Sequence, residues 1–204
     1  MRKLGRLLLA REDTSRILDA LEDIEEADLP AFIEAVPELV RHESALIRAE
    51  TIEMIGVFGL RIFSDFVRGA LADAHADVKA YALTSWYELM GRKAMPEIQS
   101  LTQDADEQVR AVALAVTFVE TEDMAVLEEI RRLVTAEGCD YHVQYAVLHT
   151  WEHYLDLNTY PEVLDCLTAM RTSVCEESGI AQDLDGLFET FKDKDSSESG
   201  NRQS

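Results

Sequence analysis

From Ile47 to Leu155 one alternation of apolar and polar positions comes round four times. Ile47, Val78, Val109 and Val143 begin the four copies, at separations of 31, 31 and 34 residues. Five residues on stand Ile52, Leu83, Leu114 and Leu148; two residues on stand Ala49, Ala80 and Ala111, with Tyr145 breaking that column. Apolar residues at 0, +4/+5 and +8 trace one stripe of an α-helix, completed by Trp86 and Trp151. The small residues at +2 allow a neighbouring helix to approach closely. A period of this length is that of stacked supersecondary units, each covering the apolar face of the next.

Turn signals divide the rest of the chain into helix pairs. The spacing predicts Leu29–Arg41 with Ser44–Phe58, then Leu60–Ala72 with Ala76–Met90. It continues with Lys93–Thr102 and Asp106–Val119, then Asp123–Ala136 and Asp140–Leu155. A less regular pair, Pro161–Thr172 and Gly179–Phe191, follows. Asp73, Asp104 and Asp140 precede second helices, where a short carboxylate satisfies free N–H groups. Gly59, Gly91 and Gly138 are read as turns at pair ends. Residues 1–28 form two short capping helices, the second capped at Thr14 or Ser15, and an acidic run ends at Pro30, where a new helix begins. Residues 29–191 form the array, and residues 192–204 a polar, disordered tail.

Composition then narrows the function. A formal charge of −21 opposes nucleic acid and anionic lipid and favours a basic protein partner. No apolar run approaches the ~20 residues of a membrane helix, and the N-terminal apolar stretch, Leu7 to Ala10 between Arg6 and Arg11, is too short for a signal peptide. Cys139, Cys166 and Cys175 lack paired spacing and read as reduced thiols of a cytoplasmic protein.

The segments LADAHADVKAYALTSWYELMG and LTQDADEQVRAVALAVTFVE resemble HEAT-type repeats: an Asp-rich turn, an apolar-basic pair, then alternating small and large apolar residues. The resemblance covers roughly Leu29 to Leu155, and the fourth copy departs from it at Gln144 and Tyr145. It implies an all-α, right-handed α-solenoid of about five to six antiparallel helix pairs, whose second helices line a concave binding face.

Three groups of residues are candidates for chemistry. His149-Thr150-Trp151-Glu152-His153 matches the H-x-x-E-H pattern of inverted zincins, with two histidines one turn apart and a glutamate for the water proton. No motif marks a third ligand, and the same residues read more simply as an exposed helix stripe. His42-Glu43, in HESALIRAETIEMIG, resembles a repeat of HEAT-like deoxyhypusine hydroxylases, but those enzymes hold two irons with several His-Glu pairs; with one pair, His42 is a turn residue. A HEAT-like DNA glycosylase needs a basic face, whereas the corresponding positions carry Glu50, Glu53, Glu88 and Glu152. No catalytic residue, metal site or cofactor is assigned.

A surface remains. The columns +3, +6, +7 and +10 are expected to face solvent, holding Glu50, Glu53, Met54 and Val57; Tyr81, Thr84, Ser85 and Glu88; Val112, Ala115, Val116 and Val119; and Ala146, His149, Thr150 and His153. Tyr87, Phe118 and Glu152 border them. The expected partner-binding set is Glu50, Glu53, Tyr81, Ser85, Tyr87, Glu88, Phe118, His149, Glu152 and His153. An aromatic middle with acidic edges suits a non-enzymatic module for a basic protein, as an adaptor or as the immunity partner of a toxin enzyme. The alternatives are a zinc hydrolase built on His149, Glu152 and His153, and a nucleic-acid mimic.

Overall fold

The computed structural model describes residues 14–174 and 178–200, and every regular element among them is a helix. The chain divides into two compact units, Met1–Ala113 and Leu114–Ser204. The first holds α1 (Thr14–Glu22), α2 (Leu29–Leu39), α3 (Ala45–Val57), α4 (Ser64–Ala70), α5 (Ala76–Met90), α6 (Met95–Ser100) and the beginning of α7 (Glu107–Thr121). The second holds the remainder of α7, then α8 (Met124–Val134), α9 (Tyr141–Tyr154), α10 (Pro161–Ser173) and α11 (Gly179–Gly200). The first expected capping helix and Cys175 lie outside the described residues.

The repeat register is the burial register. Ile47, Val78, Val109 and Val143 are buried, as are Ile52, Leu83, Leu114 and Leu148 five residues on. At +4 and +8 the buried side chains are Thr51, Ala82, Ala113, Val147, Ile55, Trp86, Thr117 and Trp151. Each large member contributes about 1.5–3 kcal/mol through removal from water. The indole N–H groups of Trp86 and Trp151, both at +8, are buried without an acceptor.

In the first unit α3 packs on α5, α1 on α3, and α4 on α5. The α3–α5 approach is close because Gly56 has no side chain: a Cβ there would lie 2.7 Å from Oγ of Ser85, 2.8 Å from its Cβ and 2.9 Å from Oε2 of Glu88. Ser85 donates across this contact to the Ile52 carbonyl at 3.0 Å. In the second unit α8 packs on α10, while α11 packs on both α9 and α10. There the Phe118 ring meets Trp151 and Tyr160 edge-on, with centroids 5.9 and 6.4 Å apart.

Boundaries differ from the sequence reading where proline and turn geometry intervene. The first helices of the second and third pairs are short, each preceded by a 3-10 turn, Arg61–Phe63 or Gly91–Ala94. Pro96 sits in the first turn of α6, where its missing N–H costs no hydrogen bond and its fixed φ favours helix entry. The last helix runs from Gly179 to Gly200 and so continues past the expected end at Phe191. Gly59 and Gly91 end their pairs with φ of 60° and 57°, but Gly138 (φ 77°) lies in the turn between α8 and α9, inside a pair. After α7 the left-handed position is filled by Glu122, φ 52°, whose Oε1 accepts from the Tyr160 hydroxyl at 3.0 Å.

Candidate functional site

The turns set the positions of the exposed helix faces. Arg48, one residue after the start of its copy, places Nε and Nη2 on the two oxygens of Asp73 at 2.9 and 2.8 Å. Its Nη1 also reaches the carbonyls of His42 and Glu43. Lys79, at the same place in the next copy, bonds both oxygens of Asp104 at 2.8 and 2.7 Å. Each pair spans 25 residues, and each aspartate also accepts a backbone N–H of its own turn, from His75 or Asp106. The hydrogen bond from Arg48 holds Asp73 below the usual carboxylate range. Burial pushes Asp104 up, but Lys79 and the Asp106 N–H outweigh it and hold that group low as well.

Asp73 and Asp104 are thus turn braces rather than helix caps; among the described residues Asp106, Asp123 and Asp140 are N-cap carboxylates, Asp106 accepting from Gln108 N at 2.9 Å and Val109 N at 3.2 Å, and Asp123 and Asp140 from Ala125 N and His142 N at 2.8 Å. In the fourth copy, where the basic residue is Gln144, its amide is buried and donates to the Val134 carbonyl at 2.9 Å.

In the first unit this bracing presents an acidic strip. Glu50 and Glu53 on α3 are half-buried, as are Tyr81, Tyr87 and Glu88 on α5. Burial, then the charges of Glu50 and Glu88, push the Glu53 carboxyl up to about 7. Glu50 is raised by burial and by Glu22 at the end of α1. Among the described residues no cation is ion-paired with Glu50 or Glu53. Elsewhere in the unit a cleft of about 230 Å³ is lined by Arg41, Arg48, Phe66 and Asp73. Its guanidinium groups are engaged, Arg48 as above and Arg41 over the Phe66 ring and on the Pro37 carbonyl.

In the second unit His149, Glu152 and His153 share the exposed face of α9. The His149 ring stacks on Tyr145, and His153 meets Tyr154 edge-on. Burial raises the Glu152 carboxyl, with His149 acting against it and Asp183 with it. No group of three His, Cys, Asp or Glu side chains among the described residues is arranged to hold a metal ion. His42 occupies a turn, where its Nδ1 accepts from the Ser44 N–H at 3.0 Å.

Two expected contact residues are core residues. Ser85 is 2% exposed and spends its hydroxyl on the Ile52 carbonyl; Phe118 is 2% exposed within the aromatic cluster of the second unit. Val116 and Thr150 at +7 are also buried, together with Val112 and Ala115. Seven residues fall within about 20° of two whole helical turns, so the +7 column points the same way as the buried start column. Sequence reasoning also passed over Tyr141 and Tyr145, 41% and 42% exposed on α9, and Asp183 beside them. Their signal was Tyr145 itself, the bulky exception in a column of buried alanines.

Among the described residues no helix is long and apolar enough to cross a membrane. Compared with models of known protein families, with curated proteins and with solved structures, the chain matches none.

Proposed function

We propose that this protein is a non-enzymatic protein-binding module that engages a basic protein through the acidic strip of its first unit. In this reading its helix pairs are those of a HEAT-like α-solenoid, and it acts as an adaptor or as the inhibitor of a basic toxin enzyme. The observation that carries the proposal is the crowding of Glu50 and Glu88 on Glu53, whose carboxyl is raised first by burial and then by those two charges, with no cation paired with Glu50 or Glu53 among the described residues. A partner's Lys or Arg would relieve that repulsion, which gives binding a sign and a position. Tyr81 and Tyr87 supply half-buried aromatic surface on the same helix as Glu88.

The test is affinity capture from the source organism with the unaltered chain and with Tyr81→Ala/Glu88→Lys, at low and high salt. The expected result is one basic protein, lost with the double variant and weakened by salt. Recovery of the same proteins by both baits, or of acidic proteins only, would overturn the reading.

A further inference from the structure

The exposed face of α9 has a construction of its own. Tyr141, Tyr145 and His149 follow one another at single-turn spacing, with ring centroids 5.7 Å apart and interplanar angles of 23° and 21°. The rings stack along the helix, and all three residues are exposed. Helical spacing fixes their rotamers before any partner arrives, so little side-chain freedom remains to be lost on binding. The end of the stack is propped by α11, where a Cβ on Gly179 would lie 3.5 Å from Cε2 of Tyr141. Tyr145 stands in the +2 column, which in the other copies holds the buried Ala49, Ala80 and Ala111. Here the column is enlarged and left open.

The border of this stack is negative. Asp183, on α11, acts on both Tyr141 and Glu152, the latter on α9 itself. Asp183 and Glu152 are exposed, and neither is ion-paired among the described residues. Preformed aromatic rings beside open carboxylates call for a cation on an apolar stem.

We infer that the Tyr141–Tyr145–His149 face of α9, bordered by Asp183 and Glu152, docks an arginine side chain presented by a partner protein. The guanidinium fork pairs with the Asp183 carboxylate through two parallel N–H···O bonds, and the methylene stem lies along the tyrosine rings. Lysine, a more strongly hydrated point charge, has no fork and fits less well. This surface belongs to the second unit and does not depend on the acidic strip of the first.

The test uses the full chain and two fluorescein-labelled Gly/Ser peptides of equal charge, one carrying three arginines and the other three lysines, titrated by fluorescence polarisation at moderate salt. The arginine peptide is expected to bind about tenfold more tightly than the lysine peptide, the margin of a bidentate over a point contact. Tyr141→Ala/Tyr145→Ala and, separately, Asp183→Asn should each remove most of that preference. Glu50→Gln/Glu53→Gln, which disables the strip of the first unit, should leave it intact. Ring-proton shifts of Tyr145 and His149 in the unaltered chain, followed as the arginine peptide is added, locate the contact without relying on the fold of any variant. Equal affinity for both peptides, no binding, a preference that survives the α9 and Asp183 variants, or unmoved ring signals would each overturn the inference.

Discussion

Replacing Glu53 by Gln should stabilise the protein, and only where Glu53 is ionised. In the folded chain burial and the neighbouring Glu50 and Glu88 raise its carboxyl from the ordinary 4.5 to about 7. A carboxyl raised on folding leaves stability intact below the unfolded value, where both states are protonated. It subtracts stability progressively as pH climbs between the two values, and the full penalty is present above the folded one. At ~1.36 kcal/mol per tenfold the penalty has a ceiling of ~3.4 kcal/mol. Glu53 is only half-buried, and screening by solvent lowers this to about 1–2 kcal/mol. Glutamine keeps the shape and removes the charge. Chemical denaturation should therefore show Glu53→Gln equal to the unaltered chain near pH 4 and about 1–2 kcal/mol more stable near pH 8. A gain of the same size at both pH values would mean packing rather than charge. A loss at pH 8 would mean that the carboxylate is satisfied by a contact the electrostatic account omits. Either result refutes the reasoning, and a carboxyl-carbon NMR titration of Glu53 checks its starting point directly.

Three further expectations concern stability and reactivity. Arg48→Ala leaves the mostly buried Asp73 without its guanidinium and should cost about 2–4 kcal/mol in denaturant unfolding, with the deficit shrinking in acid as Asp73 is protonated; because its folded pKa is depressed, the pair's contribution is present above the unfolded value and lost as pH falls through the folded one. Gly56→Ala forces a methyl against the Cβ of Ser85 at the α3–α5 contact and should destabilise by about 1–3 kcal/mol, read as a fall in Tm, whereas Gly69→Ala, with open space around it, should not. Burial pushes the Cys166 thiol up to about 11, so iodoacetamide at mild alkaline pH should alkylate Cys139 well before Cys166, as peptide mass spectrometry would resolve.

The helix pairs were legible because their cause is local and repeated. A buried stripe recurs whenever the same face of a helix meets the same kind of neighbour, and every residue of the 0 and +5 columns obeys it. The ion pairs were not legible as pairs. Arg48 and Asp73, or Lys79 and Asp104, stand 25 residues apart, and only the packing of one helix pair on the next brings them together. Their trace in the sequence was a basic residue at +1 with an aspartate in the following turn, twice over. The third basic residue, Arg110, has no such aspartate 25 residues on, because Thr135 stands there; like Arg48 it bonds the carbonyls of its own turn, Asp104 and Ala105, but its ion pair is local, with Glu107 at 3.1 Å.

The candidate surface was legible only in part, for a geometric reason. A periodicity analysis divides a helix into a face toward the core and a face away from it, and it treats the second as solvent. The α7 helix breaks that rule: Val112, Ala115, Val116 and Phe118 are all buried, so apolar residues far round the helix from the start column mark a helix covered on several sides. The same residue types decided the opposite outcome on α9, where Tyr141 and Tyr145 are apolar in bulk and exposed in fact. Composition at a position therefore does not separate a covered aromatic from a displayed one; the neighbours do. Phe118 has Trp151 and Tyr160 against it and is 2% exposed, while Tyr145, with Tyr141 and His149 of its own helix face stacked against it, stays 42% exposed. Charge was the more transferable signal. Glu50, Glu53 and Glu88 stay half-buried because an ionised carboxylate is expensive to bury completely. Their crowding there is held in place by Gly56 and Ser85, which draw α3 and α5 together, so a residue misassigned to the surface still shapes the strip from within the core.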